Sequence, residues 1–195
     1  MADYRAVLEF WLQELEPKNW YQGGDALDAD CRDRFGGAWD DLVAGRLERW
    51  RTCPDGALAY ILVADQLSRN MHRGKAEAFA TDRLARAATI HAMGRGWDQQ
   101  FPEETRQFFY LPLEHSESLQ DQARAVRLIL TRMPENGSNT LLHARAHRAI
   151  IRSFGRFPAR NAALGRINSA AEEAYLASNG YAQLLKDLAP QSESA

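Results

Sequence analysis

The sequence predicts an all-α fold, an array of antiparallel helix pairs with about eight or nine helices and short connections. Apolar residues recur at helical spacing in segment after segment, and no segment shows a convincing strand pattern. Glycine and proline stand between these segments, where helices end. With 195 residues, of which 45% are hydrophobic, we expect a single domain over residues 1–195, with residues 190–195 frayed.

The N-terminal segment predicts three helices. Asp3 can cap the first helix, and a second helix begins near Asp25. Gly36 and Gly37 predict a break, after which a third helix runs to about Trp50. This third helix ends before the next turn.

The middle of the chain predicts a central helix pair. Cys53–Gly56 is typical of a turn, and the helix Ala57–Arg69 that follows is apolar nearly all round. Asp65 is spaced to pair with Arg69, either as a structural ion pair or as part of a pocket. An alanine-rich helix over Lys75–Met93 can pack closely against the central one.

The remaining helices are shorter or more polar. A short helix precedes Leu111, and two longer ones are separated by a polar loop. Two more follow near the C-terminus. Their predicted ranges are Pro102–Phe109, Ser118–Arg132, Thr140–Phe154, Ala170–Ser178 and Tyr181–Leu188.

The stretch His147–Arg166 carries arginines at a constant spacing of four. Gly155 is placed as a left-handed residue at a helix end, and Pro158 prevents the helix from continuing. The helix therefore presents the first two arginines and the following loop presents the last two, so guanidinium groups approach from two directions. These four residues are Arg148, Arg152, Arg156 and Arg160.

Two interpretations of these arginines stay open. Guanidinium groups bind carboxylate and phosphate through paired donors, which predicts an anion-binding loop. Alternatively, ion pairs with acidic residues only lock the loop. Residues 124–166 contain nine arginines against the single acid Glu135, whereas residues 1–50 contain 11 acids and 6 bases. The net charge of the whole chain is -2, so it is not a basic nucleic-acid binder.

Two further patterns carry possible chemistry. Glu114-His115-Ser116-Glu117 has the residue types of an acid–base site, although Glu and Ser there can also cap a helix. His143 and His147 lie four apart on one helix face, a spacing too common to predict a metal site by itself. We expect no metal and no cofactor.

The sequence indicates a cytosolic protein. Cys31 and Cys53 are too few for a disulfide framework and are expected to be reduced thiols. The charged N-terminus is not a signal peptide. The longest uncharged apolar run, Ala57–Ala64, is too short to span a bilayer.

Several segments resemble the signature blocks of a bacterial family, domain of unknown function nine-two-four. They are VLEFWLQEL, DQLSRNMHRGKAEAFATD, FFYLPLEHSESLQDQ and HRAIIRSFGRFPARNAALGR. The resemblance implies an all-helical fold similar to tetratricopeptide-like (TPR-like) arrays. It implies no activity.

The chain departs from that family pattern at three places. The family usually carries Phe-Pro at Leu67-Ser68, His at Ala159, and Ser-Thr after Arg166, where this chain has Ile167-Asn168. Any role that the resemblance implies for a histidine at position 159 cannot operate here.

We predict a polar pocket that binds a small anionic ligand, a carboxylate or a phosphate. His115 and Glu117 are the candidates for moving a proton if the protein is an enzyme. A TPR-like module that binds a peptide carboxylate is the competing hypothesis. Nucleic acid and membranes are not expected partners. The predicted ligand-binding residues are Arg69, Asn70, His147, Arg156, Arg160, Asn161 and Arg166.

Overall fold

The computed structural model describes residues 2–189, and these residues form helices and loops without a β-strand. The all-α prediction is therefore confirmed. The predicted frayed tail lies outside the described residues. The chain divides into two compact units, Met1–Pro112 (unit 1) and Leu113–Ala195 (unit 2). That the two units form a single domain, as the sequence predicts, stays a prediction.

Unit 1 contains six helices among its described residues, and a seventh, α7, spans the junction with unit 2. A π-helical segment extends α1 over Phe10–Glu14, and a second one, Leu62–Leu67, joins α3 to α4. The helices are α1 (Tyr4–Glu9), α2 (Asp25–Val43), α3 (Pro54–Ile61), α4 (Ser68–Met71), α5 (Asp82–Gly94), α6 (Glu103–Arg106) and α7 (Leu111–Glu114).

The predicted break at Gly36 and Gly37 is wrong, because α2 runs through both glycines without interruption. A glycine costs a helix only about 1 kcal/mol. The buried face of α2, which includes Phe35 and Leu42, outweighs that cost. The first part of the predicted third helix is therefore the end of α2, which runs to Val43, and a short 3-10 segment follows over Glu48–Thr52.

The segment predicted to be central is the core of unit 1. Every residue from Ala57 to Ala64 is at most 1% exposed. The alanine-rich helix begins later than predicted, at Asp82, after a 3-10 turn over Ala76–Phe79. Among the residues from 2 to 189, no helix is both long and apolar enough to cross a membrane.

Unit 2 contains α8 (Leu119–Arg132), α9 (Ser138–Phe154), α10 (Ala170–Ala177) and α11 (Gly180–Leu188). Helix α9 packs against both α8 and α11. It ends at Gly155, which has a φ of 71° as the sequence predicts, and a 3-10 turn over Pro158–Arg160 follows. A small apolar core of Ile150, Ile151 and Phe157 holds α9, this turn and α11 together.

Candidate functional site

Arg156 is held by a buried carboxylate. Its Nε donates to Oε1 of Glu172 at 2.6 Å and its Nη2 donates to Oε2 at 2.8 Å. Glu172 is 2% exposed and also accepts the backbone N–H of Ser169, whose hydroxyl caps α10 in return. The guanidinium of Arg156 and the N–H of Ser169 hold the pKa of Glu172 far below its usual range. Arg156 therefore fixes the loop after α9 to the start of α10.

Arg166 makes a second two-pronged pair, with Glu117. Its Nη1 and Nη2 donate to the two carboxylate oxygens at 2.8 and 3.0 Å. The backbone N–H of Phe157 donates to the same carboxylate at 3.0 Å. Burial alone would raise the pKa of Glu117, but the hydrogen bonds from Arg166 and Phe157 outweigh it and lower the pKa. Glu117 thus stays ionised, and its carboxylate oxygens accept hydrogen bonds from Arg166 and Phe157.

Two other predicted ligand residues also hold the loop in place. Arg160 stacks on the ring of Phe157, with its guanidinium carbon 4.4 Å from the ring centre, and Nη2 donates to the backbone carbonyl of His115 at 2.8 Å. Asn161 is 1% exposed, and its Nδ2 donates to Oδ1 of Asn168 at 2.7 Å. These contacts support the loop-locking interpretation of the arginine-rich stretch.

Arg69 and Asn70 belong to unit 1 and have partners there. Nη1 of Arg69 donates to Oδ1 of Asp82 at 2.9 Å, and Nη2 lies 3.3 Å from Oδ1 of Asp65. Nδ2 of Asn70 donates to Oδ1 of Asp28 at 3.2 Å. Their role in ligand binding stays a prediction.

The histidines of α9 form a polar cluster with α7 and α11. The Tyr181 hydroxyl lies 2.6 Å from Nδ1 of His143 and 3.2 Å from Nε2 of His147. On the other side of the His147 ring, Nδ1 lies 3.7 Å from Oε2 of Glu114, whose side chain is 1% exposed. The four groups therefore lie in the order carboxylate, imidazole, phenol and imidazole. We call them the Glu114–His143 cluster.

Burial controls the ionisation of two members of the Glu114–His143 cluster. It raises the pKa of the Tyr181 hydroxyl well above its usual range, and the charge of Glu114 adds to the effect. It lowers the pKa of His143. Tyr181 therefore keeps its proton at neutral pH, and His143 is neutral.

A cavity of about 350 Å³ opens beside the Glu114–His143 cluster. Its walls are mainly apolar, and His147 and Tyr181 bring imidazole and phenol groups to it. That volume lies within the range of small-molecule sites. The other lining residues are Ile150, Phe157, Pro158, Ala159, Tyr175, Leu176, Asn179 and Gly180.

The model of a family described as "Bacterial protein of unknown function (DUF924)" matches residues 7–180. The chain belongs to this family. A solved structure, the protein of unknown function ATU0120 from Agrobacterium tumefaciens, superposes with a TM-score of 0.84 at 37% identity. The alignment covers 90% of this chain and 97% of that chain.

The curated proteins give no match to this DUF924 chain. The solved structure shares its all-helical fold. The TPR-like arrangement stays a prediction. Within residues 2–189, no three His, Cys, Asp or Glu side chains are grouped so that they could hold a metal ion.

Position 159, where the family resemblance implies a histidine, lies in the cavity wall of this DUF924 protein. Ala159 leaves that part of the wall apolar. His147 is the predicted ligand residue that lines the cavity, whereas the arginines from Arg156 to Arg166 do not line it.

Tyr181 and Glu172 are not among the site residues that the sequence predicts. Tyr181 follows Asn179-Gly180, a helix-starting turn, but nothing in its own spacing connects it to histidines more than thirty residues earlier. Glu172 carried a usable signal, because Ser169 and Glu172 have the spacing of a capping box.

Proposed function

We propose that unit 2 of this DUF924 protein binds a small organic acid in the cavity beside His147. The apolar body of the ligand fills the cavity, and its oxygen-bearing end contacts His147 and the Tyr181 hydroxyl. The observation that carries the proposal is the mainly apolar cavity that both His147 and Tyr181 line.

The protonated state of Tyr181 supports a ligand with carboxylate or carbonyl oxygens. Because burial raises the pKa of its hydroxyl, Tyr181 stays protonated and can donate a hydrogen bond to a carboxylate or carbonyl oxygen. Residues 113–195 also contain ten basic and eight acidic side chains, although the whole chain is acidic. A positive unit favours the approach of an anion.

The arginines have a supporting role in this proposal. Arg156 and Arg166 fix the loop that carries Phe157, Pro158 and Ala159 into the cavity wall. They keep the wall in place rather than bind the ligand themselves. We place the function in the cytosol, as the unpaired cysteines Cys31 and Cys53 predict.

Titration calorimetry with a series of carboxylic acids from acetate to phenylpropionate tests the proposal. Affinity should rise with the apolar body, with one site per chain. Ala159→Trp should weaken binding at least tenfold, because the exposed Ala159 can be enlarged into the cavity without disturbing the core. Arg152→Ala, on the exposed face of α9, is the matched control and should bind as the wild type does.

The proposal fails if no acid in the series binds, or if Ala159→Trp binds as tightly as the wild type. One-to-one binding of an acidic peptide in preference to the small acids would instead favour the interaction-module hypothesis. A cavity of about 350 Å³ suits the small acids better.

A further inference from the structure

His147 lies between a carboxylate and a phenol, with one ring nitrogen toward each. Nδ1 faces the Glu114 carboxylate at 3.7 Å, and the opposite nitrogen, Nε2, faces the Tyr181 hydroxyl at 3.2 Å. A carboxylate at one imidazole nitrogen favours the proton there and makes the other nitrogen a better base. The His147 side chain is 20% exposed and lines the cavity, so a ligand can reach it.

Tyr181 complements this base with a hydroxyl that stays protonated and can donate a hydrogen bond. Its hydroxyl has one proton for two imidazole nitrogens, Nδ1 of His143 and Nε2 of His147. If the Nδ1 of His147, which faces Glu114 at 3.7 Å, carries the ring proton, its Nε2 accepts from the Tyr181 hydroxyl and His143 is the donor to the phenol oxygen. This arrangement keeps both imidazoles neutral, in agreement with the lowered pKa of His143.

The two acid–base candidates predicted from sequence fit this role less well. Glu117 accepts three hydrogen bonds, from Arg166 and from the Phe157 N–H. Its lowered pKa makes it a weak base. The ring of His115 lies 6.1 Å from that of His147, and His115 is not among the described residues that line the cavity.

We infer that His147 and Tyr181 catalyse proton transfer at the carbon next to the carbonyl of a bound 2-oxo acid, which is keto–enol interconversion. The inference rests on the proposed function, because the substrate occupies the same cavity.

The reaction needs a base and a hydrogen-bond donor side by side, and no oxidant or reductant. Nε2 of His147 takes the proton as the C–H bond breaks. The electron pair of that bond forms the C=C bond, and negative charge develops on the carbonyl oxygen. When the ligand is bound, the Tyr181 O–H turns from Nε2 of His147 to this oxygen and donates to it, and the His147 imidazolium then returns the proton to oxygen or to carbon. Glu114 is a positioning residue.

Phenylpyruvate is the probe, because it joins an aromatic body to a 2-oxo acid with exchangeable hydrogens. Ultraviolet absorbance follows its tautomerisation, and proton NMR in D₂O follows exchange of its CH₂ hydrogens. The purified chain should accelerate both above the buffer rate. His147→Gln should lower the acceleration about 100-fold or more, the range for a lost general base.

Glu114→Gln tests positioning rather than mere folding. It should lower the rate and shift the acid limb of the pH–rate profile to lower pH, because the imidazolium form of His147 loses its carboxylate partner. Tyr181→Phe should lower the rate while phenylpyruvate still raises the Tm. His91→Gln, in unit 1, is the matched control and should keep the full rate.

The outcomes separate this inference from the proposed function. If phenylpyruvate raises the Tm but its tautomerisation stays at the buffer rate, the catalytic inference is overturned and binding stands. If phenylpyruvate and the simple acids both fail to bind, both proposals fall. A His147→Gln variant as fast as the wild type also overturns the inference.

Discussion

The guanidinium of Arg156 and the carboxylate of Glu172 form a two-pronged pair at 2.6 and 2.8 Å, sixteen residues apart in sequence. The pair joins the loop after α9 to the first turn of α10. Because Glu172 also caps α10 with Ser169, one carboxylate serves as loop anchor and helix cap. The loop that bounds the cavity therefore depends on a contact outside the cavity.

Arg156→Ala should lower the Tm and loosen the loop. The substitution leaves the buried Glu172 carboxylate without its strongest partner, which is more damaging than losing a surface charge. Differential scanning calorimetry measures the Tm. Arg152→Ala should change stability by no more than about 0.5 kcal/mol, as usual at an exposed position. Equal Tm values for the two variants would show that the Arg156–Glu172 pair does not hold the loop.

The lowered pKa values of Glu117 and Glu172 predict a loss of stability in acid. Each carboxylate binds protons less readily in the folded chain than in the unfolded one. Their contribution is therefore fully present above the ordinary Glu pKa of 4.5 and is lost as pH falls below it. Urea unfolding between pH 7 and pH 3 measures this loss. Glu117→Gln should flatten the dependence, and an unchanged slope would refute the assignment.

Gly180 should tolerate no side chain. A Cβ there would lie 2.2 Å from Cδ2 of Tyr175 and 2.9 Å from its backbone oxygen, in the cavity wall. Gly180→Ala should therefore destabilise unit 2. Gly36→Ala is the matched control, because nothing lies within 4 Å of its added Cβ in the middle of α2. It should stabilise the chain by about 0.5–1 kcal/mol.

Thermal unfolding of both glycine variants checks this contrast. Stabilisation by Gly180→Ala would mean that Tyr175 can move aside, and the cavity wall would then be softer than its close contacts indicate.

Much of the fold could be predicted from the sequence, because helix ends are encoded locally. Gly155 and Pro158 predicted the end of α9 and the loop after it, and both occur as expected. The failure at Gly36 and Gly37 has the opposite cause. There, the burial of Phe35 and Leu42 against other parts of unit 1 outweighs a weak local preference.

The candidate site was less predictable, because it depends on contacts distant in sequence. Spacing placed His143 and His147 on one face of α9, but it could not supply Tyr181 as their shared partner. It also could not distinguish arginines that bind a ligand from arginines that lock a loop. The partners of Arg156 and Arg166 favour the second role.

Removal of the Tyr181 hydroxyl should destabilise unit 2 while leaving its ring packed. Tyr181→Phe leaves Nδ1 of His143 and Nε2 of His147 without that partner, at a cost of about 1–3 kcal/mol. Urea unfolding measures the change. Tyr4→Phe, whose ring packs against Trp50, is the control and should be close to wild type. If Tyr181→Phe leaves the free energy of unfolding unchanged, the hydroxyl does not belong to the Glu114–His143 cluster.

His143 should titrate below the ordinary histidine pKa of 6.5, because burial disfavours its charged form. Since the unfolded chain accepts that proton more readily, stability should fall as pH drops below 6.5. An NMR pH titration of the ring signals reports the midpoint. A midpoint at or above 6.5 would show that His143 is solvated or carries a proton from its neighbours.

A small organic acid should bind beside His147 and Tyr181. The most direct test is a titration of phenylpropionate into the chain, followed by NMR of the histidine ring nitrogens. We expect saturable shifts of the His147 and His143 signals, with His72 and His91 unmoved. Shifts confined to His72 or His91, or no shift at any histidine, would contradict it.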